Sequence, residues 1–173
     1  MKKVGVIVLS FALRAGREPN PCNVRLSRAT ERVVRWMNQY GIQAVVIPQW
    51  ETEIDLHIPV AHVVCKHRNP GSYLDSDEVI LQAKEWAEVN EPDVKEWVIV
   101  ANLWIHYQGA VAIARRYGLK IMRIPILTFV RLIGWIGFDK KSDQWQTKGP
   151  IRAFVYTVGR VFFSRFGQSG QPT

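Results

Sequence analysis

Three features of the chain predict an α/β fold, a mostly parallel sheet covered by helices on both faces. Short, predominantly apolar runs recur at Val4–Leu9, Ile42–Ile47 and Trp97–Val100, too short for helices and without the strict alternation of a strand that faces water. Between them lie stretches with apolar residues at three- and four-residue spacing, the period of a helix with one buried face. Two of these stretches close on Gly41 and Gly118, the residue type favoured just past a helix C-terminus. Buried strands alternating with helices pair in parallel through crossover connections, and ligands then bind beyond the strand C-termini.

Val4–Leu9 (VGVIVL) is the expected first strand, ending at Ser10, and the loop to Asn23 is punctuated by Gly16, Pro19 and Pro21. A helix is expected from about Arg25 to Tyr40, because Leu26, Ala29, Val33, Met37 and Tyr40 share one face. Arg25, Arg28, Arg32 and Arg35 run along its other side. A solvated face explains that stripe, except for Arg25, which the helix start places near the strand C-terminal rim. Ile42–Ile47 makes the second strand, stopped by Pro48, and its exit carries Gln49, Trp50 and Glu51. His62–Lys66 reads as a short third strand, and Asn69-Pro70-Gly71 as a turn. Asp75 with Glu78 matches a capping box at the start of a helix that runs through Val79, Ala83 and Trp86 to Asn90, with Pro92 beyond it.

Trp97–Val100 is the expected central strand, followed by Asn102 and by a helix with His106 in its first turn. Lys120–Ile124 adds a further strand, and Leu127–Phe138 is apolar but broken by glycines. Asp139–Gly149 reads as loop, and Pro150 as the first residue of a last helix in which Ile151, Phe154, Val155, Val158, Phe162 and Phe166 share a face. That face docks on the sheet in the ordinary reading and lies on a membrane surface in the sharper one.

With 173 residues, 47% hydrophobic and 22% charged, the chain fits one domain over residues 1–167, and residues 168–173 read as a disordered tail. The most apolar stretch, Ile124–Phe138, is interrupted by Pro125, Arg131 and two glycines, so it is not a membrane span. The N-terminus imitates a secretory signal, with two lysines before an apolar run, but its cleavage-site pattern is poor and a buried strand explains the same residues. The expected location is cytoplasmic, with membrane association as the alternative. Cys22 and Cys65 have no metal-ligand spacing and fit a reducing compartment, with a single disulfide as the other reading. His57, His62 and His67 lack regular zinc spacing.

The net charge of +8 is segregated. Residues 1–36 carry eight basic and two acidic side chains, residues 37–114 four and eleven, and residues 115–173 eleven and two. Such segregation suits a phosphorylated ligand, an anionic membrane surface or a polyanion, and equally a basic surface that only maintains solubility. Signatures of RNA recognition and of helix-turn-helix motifs are missing, which puts nucleic acid below a membrane surface as partner. So are the Gly-rich dinucleotide fingerprint, the GxxxxGK[ST] loop, the GxSxG elbow and the CxxC pair. Ordinary dehydrogenases, NTPases, serine hydrolases and thiol oxidoreductases are thereby disfavoured.

Ser10, Glu51, Asp75, Ser76, Asn102 and His106 all follow expected strands and so fall on one edge of the sheet. In a shared crevice His106 and Glu51 would serve acid-base chemistry, while Ser10, Arg25, Asp75, Ser76 and Asn102 would contact ligand. The plain alternative is that His106 packs and that Asp75 and Glu78 only cap their helix.

The chain resembles the YdcF-like family, which includes SanA- and ElyC-type envelope proteins. The resemblance is carried by Val6–Ser10, Arg25-Leu26 with Ala29, Gly41 before Val45-Val46-Ile47, Asp75–Val79 and the stretch from Val98 to His106. It covers about residues 4–126 and rests on order rather than on one specific motif. Pro48-Gln49-Trp50-Glu51 replaces the family's Ser-Gly-Gly turn, Asp75-Ser76-Asp77-Glu78 stands for its Ser-x-Asn-Thr stretch, Asn102 replaces Ser or Thr, and Gln108-Gly109-Ala110 replaces its Arg-Ala pair. The resemblance implies a Rossmann-like three-layer α/β/α fold, a polar crevice at the strand C-termini, a nucleotide or S-adenosylmethionine as cofactor, and a link to envelope polysaccharide metabolism. The leading expectation is thus a phosphorylated or nucleotide-like small molecule acted on by a hydrolase or transferase. The alternatives are a non-catalytic basic module docking on an anionic membrane surface and one that binds a protein partner.

Overall fold

The computed structural model describes residues 1–12, 20–67 and 74–156. Its centre is a three-stranded, wholly parallel sheet in the order β2-β1-β3, formed by β1 (Lys2–Val8), β2 (Ile42–Pro48) and β3 (Trp97–Val100). The N-terminal apolar run is thus the central strand. Single bridges extend the sheet on both sides, Gln49 to Val64 beyond β2 and Trp97 to Ile121 beyond β3. The expected strands at His62–Lys66 and Lys120–Ile124 are reduced to these one-residue pairings. Around Val64 the backbone bonds are made by the Pro48 carbonyl and the Trp50 N–H, and around Ile121 by both backbone groups of Trp97, which leaves no longer ladder to zip.

Sheet pleating sorts β1 into two faces. Val4, Val6 and Val8 pack under α1 (Pro21–Gln39) and α5 (Ile126–Ile133), whereas Ile7 and Leu9 face α3 (Ser76–Asn90) and α4 (Tyr107–Arg116). Two cores result, one on each side of the sheet, and the fold is a three-layer, Rossmann-like α/β/α arrangement with a small sheet. Gly5 matters to the second core. A Cβ at Gly5 would lie 2.3 Å from the ring of Trp97, so the absent side chain lets the indole lie across β1.

The helices begin and end for local reasons. Asn20 caps α1 by accepting from the Cys22 N–H at 2.8 Å, Pro21 fills the first helical position, and Gly41 beyond the end takes φ +67°. The helix therefore starts four residues before the position its apolar period suggested. The capping box of Asp75 and Glu78 opens α3 as expected. Gly118, at φ +80°, follows α4, and Gly134, at φ +69°, ends α5 within the stretch read as irregular. A four-residue turn of helix, α2 (Trp50–Glu53), follows β2. Residues 150–156 are helical, as Pro150 suggested. Val158, Phe162, Phe166, the 168–173 tail and the Asn69-Pro70-Gly71 turn lie outside the described residues. Cys22 is buried and Cys65 exposed, and both are free thiols. No described helix is long and apolar enough to cross a membrane.

Candidate functional site

In an open parallel sheet the chain winds one way from its first strand and then the other, which leaves a crevice at the strand C-termini where the direction switches. Here the switch lies between β1 and β3, with β2 on one side of β1 and β3 on the other. Phe11 follows β1 there, and Asn102 follows β3.

Asn102 builds the turn that positions His106. It is 1% exposed, its Oδ1 accepts from the Trp104 N–H at 3.1 Å, and its carbonyl accepts from the N–H groups of His106 and Tyr107 at 3.0 and 2.9 Å. Its Nδ2 donates to the Gly137 carbonyl at 3.3 Å. Held in this way, His106 is the N-cap of α4, and its ring reaches across to the first residue of α3. Nε2 of His106 lies 2.9 Å from Oγ of Ser76. Phe11 packs beside the imidazole at 6.2 Å between ring centroids.

Ser76 owes its place to the α3 cap. Asp75 Oδ1 accepts from the Glu78 N–H at 2.9 Å and Glu78 Oε2 accepts from the Asp75 N–H at 3.1 Å, which fixes the first turn. Asp77 accepts from the Tyr117 hydroxyl at 2.7 Å and is paired with the Arg116 guanidinium, tying α3 to α4. A cleft of about 320 Å³ opens between the two helix N-termini. Phe11, Ile105, Ile113 and Tyr156 form its apolar wall, and Gln144, Gln146 and Thr147 face the Ser76–His106 pair from the segment after α5. Chemically, the imidazole can take the hydroxyl proton of Ser76 and make its oxygen a nucleophile, or hold that proton for a leaving group. Exposed main-chain N–H groups at two helix starts favour negative charge on whatever enters.

The remaining expected site residues do not line this cleft. Ser10 is fully buried, and its N–H donates to Gln49 Oε1 at 3.0 Å. The Gln49 amide in turn donates to the Leu74 carbonyl at 3.2 Å and to Glu51 Oε1 at 3.3 Å. Glu51 is 9% exposed, and its Oε2 meets no hydrogen-bond partner among the described residues. Burial pushes its carboxyl up from 4.5 to about 7, against the smaller opposing pull of hydrogen bonds from its own backbone and from Gln49. Such a group closes the rim over β2 rather than serving the cleft. Arg25 is exposed and turns away as well, donating from Nη1 to the Ile136 carbonyl at 2.8 Å. A Cβ on Gly137 would lie 2.5 Å from that nitrogen, so Gly137 lets the guanidinium approach the loop after α5.

The cleft therefore unites Asp75, Ser76 and His106 with Asn102 behind them, and leaves Ser10, Arg25 and Glu51 outside. Tyr156, Gln144, Gln146 and Thr147 had no sequence signal, because a segment without periodicity does not reveal what it folds over. A larger depression of about 670 Å³ lies at the opposite, N-terminal end of the strands, around Lys2, Glu96 and Lys120. Its carboxylate is spent there: Glu96 is paired with both lysines, which hold it below the usual carboxylate range. The switch-point cleft, with a nucleophile and a base in contact, is the better candidate.

No family model matches the chain, and no curated protein or solved structure matches it. The resemblance to YdcF-like proteins accordingly rests on the residues quoted above, and the functional reading rests on the cleft.

Proposed function

We propose that the chain binds a small phosphorylated or nucleotide-like molecule in the cleft between the starts of α3 and α4, and acts on it as a hydrolase or transferase through Ser76 and His106. One observation carries the reading: the 2.9 Å contact between Ser76 Oγ and His106 Nε2 at the mouth of a cleft at the topological switch point. His106 is the acid-base group and Ser76 the nucleophile or the anchor of an attacking water. The two helix starts receive the phosphoryl oxygens. Asp77, already neutralised by Arg116, does not repel them, and Asp75, at the exposed edge, suits the hydroxyls of a sugar. The apolar wall of Phe11, Ile105 and Tyr156 suits a base or other flat group. Membership of the YdcF-like family, and with it a place in envelope polysaccharide metabolism, belongs to the same proposal. It is supported by the order of the quoted residues and by a polar crevice in the position that family would require.

The test is turnover and binding across nucleotides, nucleotide sugars, sugar phosphates and S-adenosylmethionine. Ser76→Ala and His106→Ala should each abolish turnover. Ser76→Ala should leave binding largely intact, because the helix starts remain. Turnover that survives His106→Ala overturns the assignment of the acid-base group.

A further inference from the structure

A helix lying on a folded domain ordinarily turns polar side chains to water. α5 does not. Phe129 and Ile133 face the core, and on the outer side Ile126, Leu127 and Val130 are 70%, 72% and 46% exposed. Immediately after the helix, Trp135 is 61% exposed and stands against Trp104, itself 73% exposed, with 6.3 Å between the ring centroids. The result is one aliphatic and indole surface around a helix that the domain does not need to bury.

The charges at its edge are of one sign. Arg123 precedes the helix and Arg131 lies in its last turn, both exposed, and Lys140 and Lys141 follow. The nearest acidic residue in sequence, Asp139, is 3% exposed and holds the Lys141 N–H at 3.1 Å, so it does not offset them at the surface. Exposed aliphatic side chains, tryptophans and a margin of arginine and lysine are what an interfacial helix presents to lipid. The rings sit at headgroup depth, the apolar face enters the acyl boundary, and the cations reach back to the phosphates. A second copy of the chain fits less well, since a two-fold contact through this face would bring Arg123 and Arg131 against their own counterparts. At eight residues, α5 is too short to cross a bilayer, so it would lie in the plane of the surface.

We propose that α5 with Trp104 and Trp135 is a docking surface for an anionic lipid bilayer. It lies on the α1 side of the sheet, away from the Ser76–His106 cleft, and stands independently of the proposed function. The experiment is co-sedimentation of the full chain with phosphatidylcholine vesicles and with vesicles containing a third phosphatidylglycerol, followed in parallel by tryptophan fluorescence. Binding should be confined to the anionic vesicles, fall severalfold from low to near-molar salt, and shift the emission to the blue. Replacing both Ile126 and Leu127 by Glu should reduce binding roughly tenfold or more, and Arg131→Glu should reduce it less, with the thermal midpoint kept because these side chains are exposed. Absence of binding to anionic vesicles overturns the proposal, as does binding that the double substitution leaves unchanged. Self-association of the wild type that the double substitution abolishes would also overturn it, by assigning the face to a second copy.

Discussion

Two halves of the sheet's C-terminal rim carry similar residues and do opposite things. Over β2, Ser10, Gln49 and Glu51 form a dry cluster in which the Gln49 amide joins the Ser10 N–H, the Leu74 carbonyl and a carboxyl raised to about 7. Between α3 and α4, Ser76 and His106 touch each other and face open volume. Both follow strands, so the rule that sites lie beyond strand C-termini selects both. What separates them is a lid of side chain: a buried glutamine satisfies its neighbours and shuts one half, while the N-cap position of His106 keeps the other half open. A polar residue at the rim is a site only where its remaining valence faces space.

The comparison breaks most easily at Gln49. Gln49→Ala strips partners from Ser10, Leu74 and Glu51 and leaves a cavity, so it should cost roughly 4 kcal/mol in denaturant unfolding. Ser76→Ala should cost less than about 0.5 kcal/mol. Equal costs would mean that the two halves are not different in kind.

Glu51 sharpens the contrast through pH. Its carboxyl holds a proton more tightly in the folded chain, at about 7, than in the unfolded one, at 4.5. The stability it contributes is therefore complete below about pH 4.5 and is lost as pH rises through 7, a fall of roughly 3 kcal/mol. Glu51→Gln should remove that fall, leaving the variant more stable than wild type at pH 8 and near it at pH 5, as unfolding curves at the two values would show. A wild type and variant with parallel pH profiles would mean that Glu51 is solvated. A smaller effect, about 1 kcal/mol, is expected for Asp75→Ala, which removes the α3 cap. Since that cap also sets the first turn, Asp75→Ala should weaken ligand binding where Glu51→Gln does not.

Much of the fold was legible because burial on both faces writes itself into composition. Trp97–Val100 could be bounded to the residue, since four apolar side chains end at a polar Asn, and the capping box at Asp75 and Glu78 is a purely local signal. The short pairings at Val64 and Ile121 read as full strands because apolar content does not report how many backbone partners a segment finds. α5 was hidden for the opposite reason: with apolar residues on both its faces it has no helical period to detect. At the site, the sequence singled out Asp75, Ser76, Asn102 and His106. It could not show that Arg25 would be drawn to the Ile136 carbonyl, a contact between residues 111 positions apart. Nor could it show that the Gln49 amide would seal Glu51 and Ser10 away from the cleft.

Thermal unfolding of the purified chain against nucleotides, nucleotide sugars, sugar phosphates and S-adenosylmethionine, run beside His106→Ala and Glu51→Gln, tests most directly that the open half of the rim is the site. A ligand that binds only the folded state raises the midpoint by mass action. The expected result is a stabilising ligand whose shift disappears in His106→Ala and persists in Glu51→Gln. A shift that persists in His106→Ala, one that is lost in Glu51→Gln, or no shift across the whole panel would contradict it.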